Sequence, residues 1–147
     1  MLRFAILTLA LSACAMNWQT VGYTPKKLTS ADPKEVAKVV ILSNSLAGCV
    51  STLLVTDIML NLQIACPRAA GTFVVRFDQV ASIGVLHAED WFLVRVTHKN
   101  GLADFELASK IRADVENLAD AFMSLAHMQQ SEPSPSGDGE APKSVEM

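Results

Sequence analysis

The sequence predicts an α+β fold, an antiparallel sheet or partly open barrel of five to seven strands closed by one C-terminal amphipathic helix. Three observations lead there. Apolar residues alternate with a period of two through residues 58–107, and Asn100-Gly101 marks a hairpin inside that stretch. From Ile111 onward the period changes to helical steps. The chain has 147 residues, enough for one domain and hardly for two.

Taken in order, Ile58, Leu60, Leu62 and Ile64 alternate with Met59, Asn61, Gln63 and Ala65, the pattern of a half-buried strand. Cys66-Pro67-Arg68-Ala69-Ala70-Gly71 breaks it. Phe73, Val75 and Phe77 against Val74, Arg76 and Asp78 form a second strand, and residues 82–86 a short third. The polar link His87-Ala88-Glu89-Asp90 follows. Phe92, Val94 and Val96 against Leu93, Arg95 and Thr97 make a fourth strand, and Ala103, Phe105 and Leu107 return after Asn100-Gly101. That pair suits the two positive φ angles of a type I′ turn.

The helical stripe is Ile111, Val115, Leu118, Phe122 and Leu125. Ser109 offers a cap, and Asp114 and Glu116 lie in early turns, where negative charge suits the helix dipole. The helix is expected to end near Met128. Residues 129–147, with Pro133, Pro135, Gly137, Gly139 and Pro142, cannot bury a core and are expected to be a disordered tail. Ahead of the sheet, Asp32-Pro33-Lys34-Glu35 has the form of a helix start: a cap, a proline at the first position, an acid three residues on. Yet the run Val36-Ala37-Lys38-Val39-Val40-Ile41-Leu42 is rich in β-branched residues, which favour strands. Residues 33–46 stay open between helix and strand. A single globular domain is expected over 32–128.

The N-terminus has the grammar of a secretory signal: Arg3, an apolar stretch over 4–11, then small residues. About eight apolar residues are too few to cross a bilayer, which takes about 20. They fit the apolar region of a signal peptide. The run Leu11-Ser12-Ala13-Cys14 resembles the lipobox of bacterial lipoproteins. The resemblance implies removal of residues 1–13, thioether attachment of diacylglycerol to Cys14, and acylation of the new amino terminus. Several acyl chains hold a protein stably where one does not. With Ala15 and not Asp after the cysteine, the resemblance further implies the periplasmic face of the outer membrane. Residues 14–31, without sustained periodicity, then read as the lipidated N-terminus and a tether.

Three cysteines are an odd count for an exported chain. With Cys14 assigned to lipid, Cys49 and Cys66 remain, and in an oxidising compartment they are expected to form a disulfide. The other reading of the two is a pair of small buried hydrophobes. Over residues 52–127 the chain resembles small bacterial pleckstrin-homology-like domains. The likeness lies in Phe77-Asp78-Gln79-Val80-Ala81-Ser82-Ile83 leading into a strand, the strand from Trp91 to Val96, the hairpin and the capped helix. It implies seven strands before the helix, and it carries no function with it.

Composition narrows the chemistry. A formal charge of −3 without a Lys/Arg cluster lacks the footprint of nucleic-acid binding. There is no GxGxxG, Walker or GxSxG arrangement, so neither a cofactor nor catalysis is expected. His98 beside the hairpin and His127 at the helix end have structural explanations. His87 with Glu89 and Asp90 is the one local group of metal-type ligands, and a metal-dependent enzyme built on it is one alternative. A carrier of a small ligand or lipid, using the space between sheet and helix, is another. The aromatic side chains are the better candidates for interaction. Trp18 and Tyr23 lie in the expected tether, and Trp91 opens a strand on the face opposite Phe92. The expected function is therefore an outer-membrane lipoprotein whose non-catalytic domain serves as a binding or scaffold module for an envelope protein.

Overall fold

Asp32 settles the open segment in favour of a helix. Its carboxylate accepts from the Lys34 N–H at 3.0 Å, Pro33 occupies the first helical turn, and helix α1 runs Pro33–Ser43. The Lys34 ammonium, hydrogen-bonded to Asp57 at 2.7 Å, ties this helix start to the loop beyond. That bond holds the ammonium above the ordinary lysine range. Ala37, Val40 and Ile41 are buried, so the β-branched run serves core packing here and not strand pairing. The computed structural model describes residues 17–44, 47–67, 69–101 and 103–131. Cys14, the expected signal peptide and the tail beyond Ser131 lie outside the described residues.

Among the described residues, seven strands form two antiparallel sheets. Strands β2 (Val50–Val55), β3 (Met59–Cys66) and β4 (Ala69–Arg76) make a three-stranded meander. Strands β1 (Gln19–Thr20), β5 (Val80–Ala88), β6 (Trp91–His98) and β7 (Ala103–Ser109) make a second sheet in the order β1-β5-β6-β7. The two sheets meet along β4 and β7 without closing a barrel. Between them the chain makes a 3-10 turn at Phe77–Gln79, which buries Phe77 where the alternation predicts a continuing strand. Helix α2, Arg112–Ser131, then covers the second sheet and packs against α1. The class is α+β with a C-terminal helix, as the periodicities imply.

The expected strands are all present, and β5 is longer than expected. In the first hairpin, Thr56 Oγ1 accepts from the N–H groups of Ile58 and Met59 and so closes the turn. The hairpin marked by Asn100-Gly101 forms, with Gly101 at φ 89°, but not as a two-residue turn. Strand β6 ends at His98 and β7 starts at Ala103, with a register shift between Val96 and Thr97. The extra residue of that bulge is Asp104 in β7, which has no strand partner between Ala103 and Phe105.

The stripe on α2 holds at four of its five positions. Val115, Leu118, Phe122 and Leu125 are fully buried, whereas Ile111 precedes the helix and is 59% exposed. The Ser109 hydroxyl accepts from the Ile111 N–H, so it closes the turn before the helix and does not cap the first helical turn. At the far end Gln130 donates to the carbonyls of Phe77 and Val80, both at 2.9 Å, which carries α2 past Met128. The centre of the core is aromatic. Phe105 meets Phe122 edge-on at 5.4 Å between centroids, and Phe77 lies 6.0 Å from Phe122.

Residues 17–31 depart from the expected tether. Gln19–Thr20 adds β1 to the edge of β5, and the Val21 N–H donates to the Val85 carbonyl at 2.9 Å. Beyond it the chain crosses α2. The Tyr23 hydroxyl donates to both carboxylate oxygens of Asp120, the Lys26 N–H donates to Asp120, and the Leu28 N–H donates to Ser124 Oγ. Trp18, Val21, Tyr23 and Leu28 sit half-buried against the core. This segment escapes a periodicity search because its four anchors follow neither period. It is a strap on the domain.

Candidate functional site

The strap brings together residues that are far apart in sequence. Gln19 lies opposite His87, His87 opposite Phe92, and Phe92 opposite Ser109, so one row crosses all four strands. One residue further out Trp91 pairs with Ala88, and Trp18 immediately precedes Gln19 at the same end of the sheet. Ala88 is buried. Lys110 completes this outer row, its ammonium 5.3 Å from the centre of the Trp91 ring. Asp90 in the β5–β6 turn pairs with the same ammonium at 3.5 Å. Next to Trp91 opens a concavity of about 330 Å³, bordered by Asn44, Lys110, Ile111 and Asp114. Trp18 and Trp91, separate expectations in the sequence, thus share one end of the sheet.

Tyr23, the third aromatic candidate, is not at this end and is not free for a partner. Partial burial raises the ionisation of its phenol above the ordinary value, followed by the hydrogen bond to Asp120 and the charges of Asp120 and Glu116. The folded protein therefore holds this proton more tightly than the unfolded chain does. The resulting stability is fully present below pH ~10, the unfolded value, and falls as pH rises beyond it. Tyr23→Phe is expected to lower the unfolding free energy at neutral pH by about 1 kcal/mol. It should also flatten the alkaline decline, and denaturant titrations at two pH values will show both effects.

His87, Glu89 and Asp90 are not assembled as metal ligands. Asp90 is engaged by Lys110, the His87 ring lies 5.0 Å from the Phe92 ring, and Glu89 takes a φ of 57° to make the turn. Among the described residues no group of three His, Cys, Asp or Glu side chains could hold a metal ion. His98 is buried and accepts the Arg76 N–H at its Nε2, 3.2 Å away, which joins β6 to β4. His127 lines a shallow groove of about 290 Å³ between the start of β5 and the end of α2. Val94, Val96, Phe105 and Phe122 are buried between the sheet and the helix, the region a carrier would use.

Cys49 and Cys66 are joined as a disulfide with Cα atoms 5.0 Å apart. It links the start of β2 to the end of β3, next to a register shift between Val50 and Thr52. A third feature has no counterpart among the sequence expectations. On the outer face of the three-stranded sheet, Leu54 and Val74 flank Asn61 and are 50% and 38% exposed, with Ile58 at 53% in the adjoining turn. The alternation that identifies β3 and β4 places this face in solvent but gives no reason to look for apolar residues on it. No helix among the described residues is long and apolar enough to cross a membrane. No protein-family model matches the chain, and comparisons with curated proteins and with solved structures find no match.

Proposed function

We propose that this protein is a bacterial lipoprotein, anchored through Cys14 on the periplasmic face of the outer membrane, whose domain is a non-catalytic binding or scaffold module. The observation that carries the reading is the run Leu11-Ser12-Ala13-Cys14 behind Arg3 and a short apolar segment. The Cys49–Cys66 pairing supports it, because disulfides persist beyond the inner membrane and are rare in the cytosol. The binding role draws support from the apolar row at Leu54 and Val74. A pleckstrin-homology-like architecture is part of the proposal, supported by seven strands ahead of a C-terminal helix. It differs from that pattern in the helix α1 inserted between β1 and β2, and in β1 pairing with β5.

In cells fed a palmitate analogue, the wild-type protein is expected to take up label and to be shortened. Cys14→Ser should take up none and remain a precursor. Uptake by the Cys14→Ser protein, or none by wild type, would refute the anchor. For the binding role, cross-linking in intact envelopes is expected to yield a discrete adduct that Leu54→Asp abolishes. The absence of any adduct would leave the module without support.

A further inference from the structure

We propose that the end of the four-stranded sheet carrying Trp18, Trp91 and Ile111 rests on the bilayer surface, so that lipid headgroups cover this patch. The inference rests on the Cys14 anchor and specifies how the anchored domain is oriented.

The connecting chain is short. Cys14 precedes Trp18 by four residues, so their Cα atoms are at most about 14 Å apart by any path. A domain of this size has a radius of gyration of about 13 Å. A link that short cannot lift the domain off the membrane or turn a remote end of it toward the lipid. The residues nearest Trp18 are therefore the residues nearest the bilayer.

Sheet register then fixes what lies beside Trp18. Adjacent strands are about 4.8 Å apart, and the row Gln19–His87–Phe92 spans two such spacings, so the backbone next to Trp18 lies roughly 10 Å from the backbone next to Trp91 at the same end of the sheet. Lys110 lies one strand beyond. The β5–β6 turn at Glu89 and Asp90 projects past that row.

The side chains at this end suit a lipid interface. Trp91 and Trp18 are both half-buried, and indole is favoured at the level of lipid headgroups, where one part of the ring is apolar and the N–H is wet. Ile111, which borders the same concavity as Trp91, is 59% exposed. Lys110 has the long stem that reaches from an apolar surface to phosphate level. Its charge is offset by Asp90, so the patch is not polybasic. Zwitterionic lipid should suffice, with little dependence on salt.

The two tryptophans are the only ones in the chain, which makes the orientation readable by fluorescence. The full lipidated protein is reconstituted into phosphatidylcholine vesicles, plain or dibrominated near the headgroup end of the acyl chains. Trp18 is close to the anchor in any orientation and is quenched regardless. Trp91, read alone in Trp18→Phe, is the discriminating probe. Its emission is expected to fall about twofold in brominated vesicles, as for an indole at the interface. Equal Trp91 emission in the two lipids, from protein that floats with the vesicles, would overturn the orientation and leave the anchor intact. Protein that does not float would instead refute the anchor, and the orientation with it. Should Trp18→Phe fail to fold, the unsubstituted protein gives the same decision. Loss of most of its emission supports the proposal, and survival of the Trp91 share contradicts it.

Discussion

Phe122→Ala is expected to destabilise the domain by about 3–5 kcal/mol, the largest effect expected of a single truncation in this core. Its ring is fully buried and is the one that both Phe77 and Phe105 meet. Phe77 comes from the turn between the sheets and Phe105 from β7, so Phe122 is where helix, sheet and crossover converge. Removing it leaves a cavity bordered by Phe77 and Phe105. A domain of this size has roughly 5–15 kcal/mol in all, so the variant is left marginal. Denaturant unfolding should show the midpoint falling sharply while the slope stays constant. A loss below about 1 kcal/mol would mean that the aromatic cluster is not the centre of the core.

Replacing Cys49 and Cys66 together by serine is expected to cost about 3 kcal/mol, the value for a closed loop of this size. The two positions are 17 residues apart in sequence. The loop contains β2 and nearly all of β3, and β2 is an edge strand with an irregular register. Without the cross-link, β2 is the strand expected to fray first. A reductant should lower the wild-type midpoint toward that of the double variant and leave the variant itself unchanged. If reductant has no effect on the wild type, the disulfide contributes nothing to stability.

How legible the fold was depended on how long each pattern ran. Strands β3, β4 and β6 and helix α2 each carry several residues of one period, and tertiary packing kept them. Strand β1 has two residues, too few for any period, and it exists because β5 offers an open edge. Strand β2 is obscured by the bulge at its start. At α1 two local signals competed, and the Asp32 cap with Pro33 prevailed over the β-branched run because the helix could bury Val40 and Ile41. Ile111 sits at helical spacing yet outside the helix, since spacing cannot see that Ser109 closes a turn first. The candidate site was legible only in its parts. Trp18 and Trp91 stood out as tryptophans without an obvious place in the core, but their juxtaposition comes from the pairing of β1 with β5. A contact of such long range leaves no trace in local periodicity.

That juxtaposition involves Trp18, four residues after Cys14, and so ties the proposed anchor to the first described residues of the chain. Mass spectrometry of the N-terminal peptide from the mature protein tests the anchoring most directly. The expected peptide begins at Cys14 and carries a thioether-linked diacylglyceryl group and an amide-linked acyl chain. A chain that still begins at Met1, or an unmodified Cys14 in the mature protein, would contradict the anchor.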